Sequence, residues 1–123
     1  MRNPLEQLAM SQLGNLQRSL VEAAEEAQRE LRNTKLEASS GGGAVRVTAN
    51  GLGELIDVKL DPHVITSEED QVALLEALIA DAVRNVMELA SQRAAQVRQE
   101  KLKASGPFAM LEQMGIDLSA FGT

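Results

Sequence analysis

The chain has 123 residues, 44% of them hydrophobic but only 2% aromatic, with no cysteine and a formal net charge of −6. That length makes one small domain whose core must come from Leu, Val, Ile and Ala, and so thin a core favours an obligate dimer. Without cysteine there is no disulfide framework, thiolate metal site or cysteine nucleophile.

The opening MRNPLEQLAMSQLG lacks the unbroken apolar core of a signal peptide. No apolar run approaches the about 18 residues of a membrane span, so a cytoplasmic protein with no membrane partner is expected. The charge is unevenly placed. Residues 61–81 hold six acids and no Lys or Arg, whereas residues 82–103 hold five bases against two acids. The acids fall at the start of a helix and the bases at its far end, as the helix dipole favours. Beyond that compensation a basic tip is left on a long helix.

In chain order, Pro4 suits the first turn of a helix. Leu5, Leu8, Leu13, Leu16, Leu20, Ala23, Ala27 and Leu31 then recur at helical spacing, predicting an amphipathic helix to about Thr34 with a soft spot at Gly14. Between Leu16 and Ala27 the spacing approaches a heptad seam, which predicts packing on another helix. Arg29, Arg32 and Lys35 cluster at its end, either as dipole compensation or as ligand contacts. Residues 36–40 alternate weakly and predict a first strand. Gly41-Gly42-Gly43 lacks the Gly-Lys-Ser/Thr and helix of a phosphate loop and is a flexible hairpin connection.

Val45-Arg46-Val47-Thr48-Ala49 and Ile56-Asp57-Val58-Lys59-Leu60 are period-2 runs joined through Asn50-Gly51, a hairpin signal because Asn-Gly tolerates positive φ. Leu52-Gly53 lengthens the connection, so a looser turn or a bulge is expected. Val45, Val47 and Ala49 are expected on the buried face with Ile56, Val58 and Leu60 as partners. Arg46, Thr48, Asp57 and Lys59 point to solvent or to a second chain. Asp61-Pro62 stops the strand. The lone His63 sits in a turn without spaced ligands, so no metal is expected.

Thr66 or Ser67 then caps a second helix, with Ser67 and Asp70 spaced as a capping box. Its apolar positions Val72, Leu75, Ile79, Ala82, Val86, Ala90 and Val97 carry it to about Lys103, thinning after Ala90. Ser105-Gly106-Pro107 ends it. The tail, residues 108–123, either docks on the sheet platform or binds partners. The fold expected is α+β, an α-β-β-β-α protomer with a three-stranded antiparallel sheet and two long helices.

No catalytic constellation can be assembled around one turn histidine, and the carboxylates at 68–70 suit a helix start better than acid–base work. The protein is therefore expected not to be an enzyme, with no cofactor and no small-molecule substrate. So little aromatic content argues against base stacking. Two binding readings are open. In one, a dimer grips double-stranded DNA through phosphates, using Arg84, Arg93, Arg98, Lys101 and Lys103 with Arg29, Arg32 and Lys35. In the other, it is a protein adaptor or chaperone-like dimer using apolar grooves and its Met-rich tail.

The pattern Gly43-x-Val45-x-Val47-x-x-Asn50-Gly51, then Val58-x-Leu60-Asp61-Pro62, an acidic helix start and Ala82-x-x-Asn85 resembles the YbaB/EbfC family of bacterial nucleoid-associated proteins. The likeness covers about residues 5–103, within a domain read as 1–107. It departs at the second helix start, where the family often has Asp-x-Glu-x-Leu-Glu-Asp-Leu and this chain has Asp70-Gln71-Val72-Ala73-Leu74-Leu75-Glu76-Ala77-Leu78. The resemblance implies a tweezer-like homodimer joined largely through the sheet and DNA binding near the helical arms. It also implies a nucleoid location and a role in compacting or bending DNA and modulating transcription. Arm charges are not a strict family motif, so the basic residues named rest on charge and helix geometry.

Overall fold

A computed structural model of the chain describes residues 3–65 and 67–105. The element order is α1 (Pro4–Asn33), β1 (Lys35–Ser40), β2 (Val45–Asn50), β3 (Leu55–Leu60) and α2 (Glu69–Ala104), with single 3-10 turns at Gly41–Gly43 and Pro62–Val64. This is the α-β-β-β-α arrangement expected. The tail at 108–123 and the cap candidate Thr66 lie outside the described residues.

The chain divides into two compact units, one of residues 30–95 and one of the first 29 residues with those from Gln96 onward. In the first unit the three strands form an antiparallel sheet in the order β1-β2-β3. Val45, Val47 and Ala49 on β2 are buried against Ala82 and Val86 of α2, with Leu36, Ala38, Leu60, Leu75 and Leu78 packed around them. Small residues at Ala49 and Ala82 let a helix with the β-branched Val86 settle close to the pleated surface. At the sheet's rim, the Ser40 hydroxyl donates to the Leu78 carbonyl and Asn85 Nδ2 to the Ser39 carbonyl, tying β1 to α2.

The β2–β3 connection is organised by Asn50. Its Oδ1 accepts from the backbone N–H of Leu52 and Glu54, and its Nδ2 donates to Glu54 Oε1. Gly53, at φ +83, takes the left-handed conformation. Gly51 does not, which corrects the positive-φ reading of Asn-Gly. Gly51 is glycine because a Cβ there would lie 2.7 Å from Leu31 Cδ2 and 3.0 Å from the Leu31 carbonyl. Its N–H donates to the carbonyls of Leu31 and Thr34, satisfying acceptors that the end of α1 leaves open. The expected bulge is present as a register shift between Thr48 and Ala49, opposite which Ile56 is the extra residue.

That bulge and the edge position of β3 overturn one expectation. Val58 pairs with Val47 and Leu60 with Val45, but Ala49 pairs with Leu55 rather than Ile56. Leu55, Ile56 and Val58 are 48%, 52% and 38% exposed. The helical cover lies over β2, so alternation alone does not bury β3. At the start of α2, the cap position falls to Glu68, whose carbonyl accepts from the Val72 N–H, instead of Ser67.

In the other unit, α1 runs without a break through Gly14. Ala23 and Ala27 on α1 and Val97 on α2 are buried, while Leu5, Leu8, Leu13 and Leu20 are exposed. Within this unit the stripe read along α1 is therefore buried at its alanines and exposed at Leu5, Leu8, Leu13 and Leu20, whereas Leu31, in the sheet unit, is fully buried. On α2, Val97 is buried in this unit and Ala94 in the sheet unit, so buried positions recur beyond Ala90, where the sequence had pointed to a thinning. Alanine at such positions allows close helix approach.

Candidate nucleic-acid interface

Long helices turn their small residues inward, which pushes their basic residues outward. Of the eight predicted cations, Arg29, Arg98, Lys101 and Lys103 lie in the helical unit, and Arg32, Lys35, Arg84 and Arg93 in the sheet unit. Arg29, Arg32, Lys35, Arg84, Arg93 and Arg98 are exposed, and Lys101 and Lys103 half-buried. Arg84 is engaged by Asp81 one turn earlier, which lowers its value as a phosphate ligand.

In the helical unit, a cleft of about 210 Å³ is lined by Ser19, Glu22, Ala23 and Glu26 of α1, by Lys101 and Ala104 of α2 and by Ser105 just beyond its end. The end of α2 therefore lies beside the middle of α1. Lys101 shares its cleft with two carboxylates, so its charge is partly offset within the protein. Arg93 and Arg98 remain as exposed cations on α2 for which no carboxylate within ion-pair distance is found among the described residues.

The sheet's outer face carries cations that were read from the sequence only as pointing outward. Arg46 on β2 stands opposite Lys59 on β3, and both are exposed. The alternation alone put them on one face; the sequence pointed to a looser turn or a bulge but not to its place at Ile56, beyond which Arg46 and Lys59 come into register. Beyond them, Asp61 closes β3. Its Oδ1 accepts from the His63 N–H at 3.0 Å and lies 2.8 Å from His63 Nδ1. These bonds hold the Asp61 carboxyl below the usual carboxylate range, the backbone bond most and the ring second. Among the described residues no group of three His, Cys, Asp or Glu is placed to hold a metal ion, and no helix is long and apolar enough to cross a membrane.

The model of the YbaB/EbfC DNA-binding family matches residues 5–105. A nucleoid-associated protein of Dictyoglomus thermophilum is 38% identical over 96 residues, 78% of this chain and 85% of that protein. One from Campylobacter jejuni is 32% identical over 96 residues, 78% of this chain and 93% of the relative. In structure, the chain is similar to an uncharacterized protein from Helicobacter pylori, with a TM-score of 0.65 at 24% sequence identity, over 75% of this chain and 95% of that one. That last likeness concerns the fold.

Proposed function

The chain belongs to the YbaB/EbfC DNA-binding family, and from that premise we propose that it is a nucleoid-associated protein that binds duplex DNA as a homodimer. The family match across both helices and the sheet carries this reading. Binding runs through phosphates with little sequence preference, and it serves to compact or bend DNA and to modulate transcription in the nucleoid. No catalytic step is assigned to it.

Three physical features support the reading. Exposed arginines on α2, chiefly Arg93 and Arg98, suit phosphate contacts, which give affinity without sequence information. With no Trp or Tyr and two Phe, the chain has little with which to stack bases. Finally, β3 is an edge strand with exposed Leu55, Ile56 and Val58, and such an edge needs a cover. A second copy of the chain supplies one.

The test is titration of the purified protein onto an arbitrary duplex at low and near-physiological salt. Affinity that falls steeply with salt and ignores sequence supports the proposal. No binding at low salt overturns it in favour of the adaptor reading, for which the exposed Leu5, Leu8 and Leu13 would be the contact surface.

A further inference from the structure

The outer face of the sheet is built in rungs. Glu37, Thr48 and Asp57 form one rung across β1, β2 and β3, and Ser39, Arg46 and Lys59 form the next. Like charges directly opposite each other on an antiparallel pair repel. Arg46 and Lys59 are in that position, and neither has an ion-pair partner among the described residues. The acids of the neighbouring rung are on the same face but do not come within ion-pair distance of them.

The Arg46 side chain turns towards the Gly41–Gly43 turn. A Cβ on Gly43 would lie 3.5 Å from its Nη2 and 3.7 Å from its Nε. Gly43, at φ +95, leaves that space open. Beside it opens a cleft of about 240 Å³ lined by Gly43, Arg46, Lys59, Leu60 and Asp61. The one carboxylate in the cleft, Asp61, is engaged by His63 through both its N–H and its ring. Two cations thus border one cleft with a single carboxylate, and neither of them lies within ion-pair distance of it.

We infer that the Arg46–Lys59 cleft is a phosphate-binding site that holds a backbone phosphodiester of nucleic acid, giving the sheet its own DNA contact in addition to α2. The inference rests on the DNA-binding reading above. A guanidinium offers a planar pair of N–H donors to two phosphate oxygens, and the ammonium adds a point charge. The cleft is shallow, with Leu60 as its one apolar side chain and no ring to stack on a base. That lining suits a backbone phosphate in preference to a nucleoside.

The full chain carrying Arg46→Gln with Lys59→Gln is titrated onto duplex DNA across a salt series. The slope of log affinity against log salt is expected to flatten by about 0.9 for each phosphate lost. Affinity at low salt is expected to fall by about tenfold. Lys59→Glu separates contact from folding, because it places a carboxylate opposite Arg46: DNA binding should weaken further while the melting temperature rises. In the wild type, added inorganic phosphate and added duplex should both shift the Gly43 amide and Arg46 Nε–H NMR signals. Wild-type binding with an unchanged slope in the Gln variant and unmoved Gly43 and Arg46 signals overturns this inference and leaves the DNA reading standing. Failure of the wild type to bind at low salt overturns the DNA reading and this inference together.

Discussion

β2 and β3 are partners in one hairpin of equal strand length, and from Ile56 onward β3 alternates apolar and polar residues as β2 does. Yet every apolar side chain of β2 is buried, and those of β3 are exposed except for the half-buried Leu60. The difference lies in position, not pattern. β2 is the central strand beneath Ala82 and Val86, whereas β3 is an edge strand of which only Leu60 packs against that core. Alternation thus marks which face of a strand is apolar, and only the packing decides whether that face is covered within the chain or by a partner.

The largest effect should come from a charge in β2. Val47→Asp buries an uncompensated carboxylate between Ala38 and Val58 and under the helix. It should cost about 5 kcal/mol, enough to unfold a small domain. Circular dichroism should show no cooperative melt. A stable variant would mean that the β2 face is not the core.

Gly51→Ala tests the turn that joins the two strands. A methyl group there must displace the Leu31 side chain and press on its carbonyl, and overpacking of this kind costs about 1–3 kcal/mol. The hydrogen bond from Gly51 N–H to Leu31 at 2.8 Å would lengthen with it. Hydrogen exchange should speed up at the Gly51 amide, and the melting temperature should drop. An unchanged melting curve would show that the turn can move off α1 freely.

The same charge placed in β3 should behave differently from Val47→Asp. Val58 is 38% exposed in the single chain, so Val58→Asp should cost the protomer about 1 kcal/mol or less, in line with surface substitutions. If β3 is the dimer edge, the variant should sediment as a monomer with native circular dichroism. Loss of folding would place Val58 in the core after all. Retention of the dimer would move the interface elsewhere.

On the arms, Arg93→Ala with Arg98→Ala removes two exposed cations. DNA binding should weaken to a similar degree across unrelated sequences, and the salt slope should flatten by about 1.8 if each holds one phosphate. Fluorescence anisotropy at several salt concentrations checks this. An unchanged slope would exclude the second arm as a contact. Combined with Arg46→Gln and Lys59→Gln, the losses should add if sheet and arm bind separate phosphates.

Much of this architecture was legible in the chain. Helix limits followed from Pro4, the 3- and 4-spaced apolar residues and Ser105. The hairpin followed from Asn50-Gly51 between two alternating runs, and the sheet's polar face from Arg46, Thr48, Asp57 and Lys59. What escaped was set by long-range packing. That Gly51 is needed against Leu31, that Ile56 falls in a bulge, and that α2 still buries Ala94 beyond Ala90 all depend on neighbours distant in sequence. The eight basic candidates were legible as charges, but not the engagement of Arg84 by Asp81 or the placing of Lys101 beside Glu22 and Glu26.

The smallest effect belongs to the end of β3, where an exposed polar contact takes the place that burial has in β2. Asp61 donates its N–H to Ala44 at 2.9 Å, closing the hairpin, and its carboxylate caps the Pro62–Val64 turn through His63. The His63 backbone bond, then its ring, depresses the Asp61 pKa in the folded chain below the usual carboxylate range. A depressed acid contributes stability that is fully present above its unfolded pKa and is lost as pH falls through the folded one. Native stability should therefore lose this contribution progressively below pH about 4, and Asp61→Asn should lower the neutral-pH melting temperature slightly and flatten that part of the acid limb, so that the two proteins converge as pH falls. Parallel melting curves of variant and wild type from pH 7 down to pH 2 check the sign. If the two proteins lose stability identically on acidification, the Asp61–His63 contact contributes nothing to β3, and strand pairing alone defines its end.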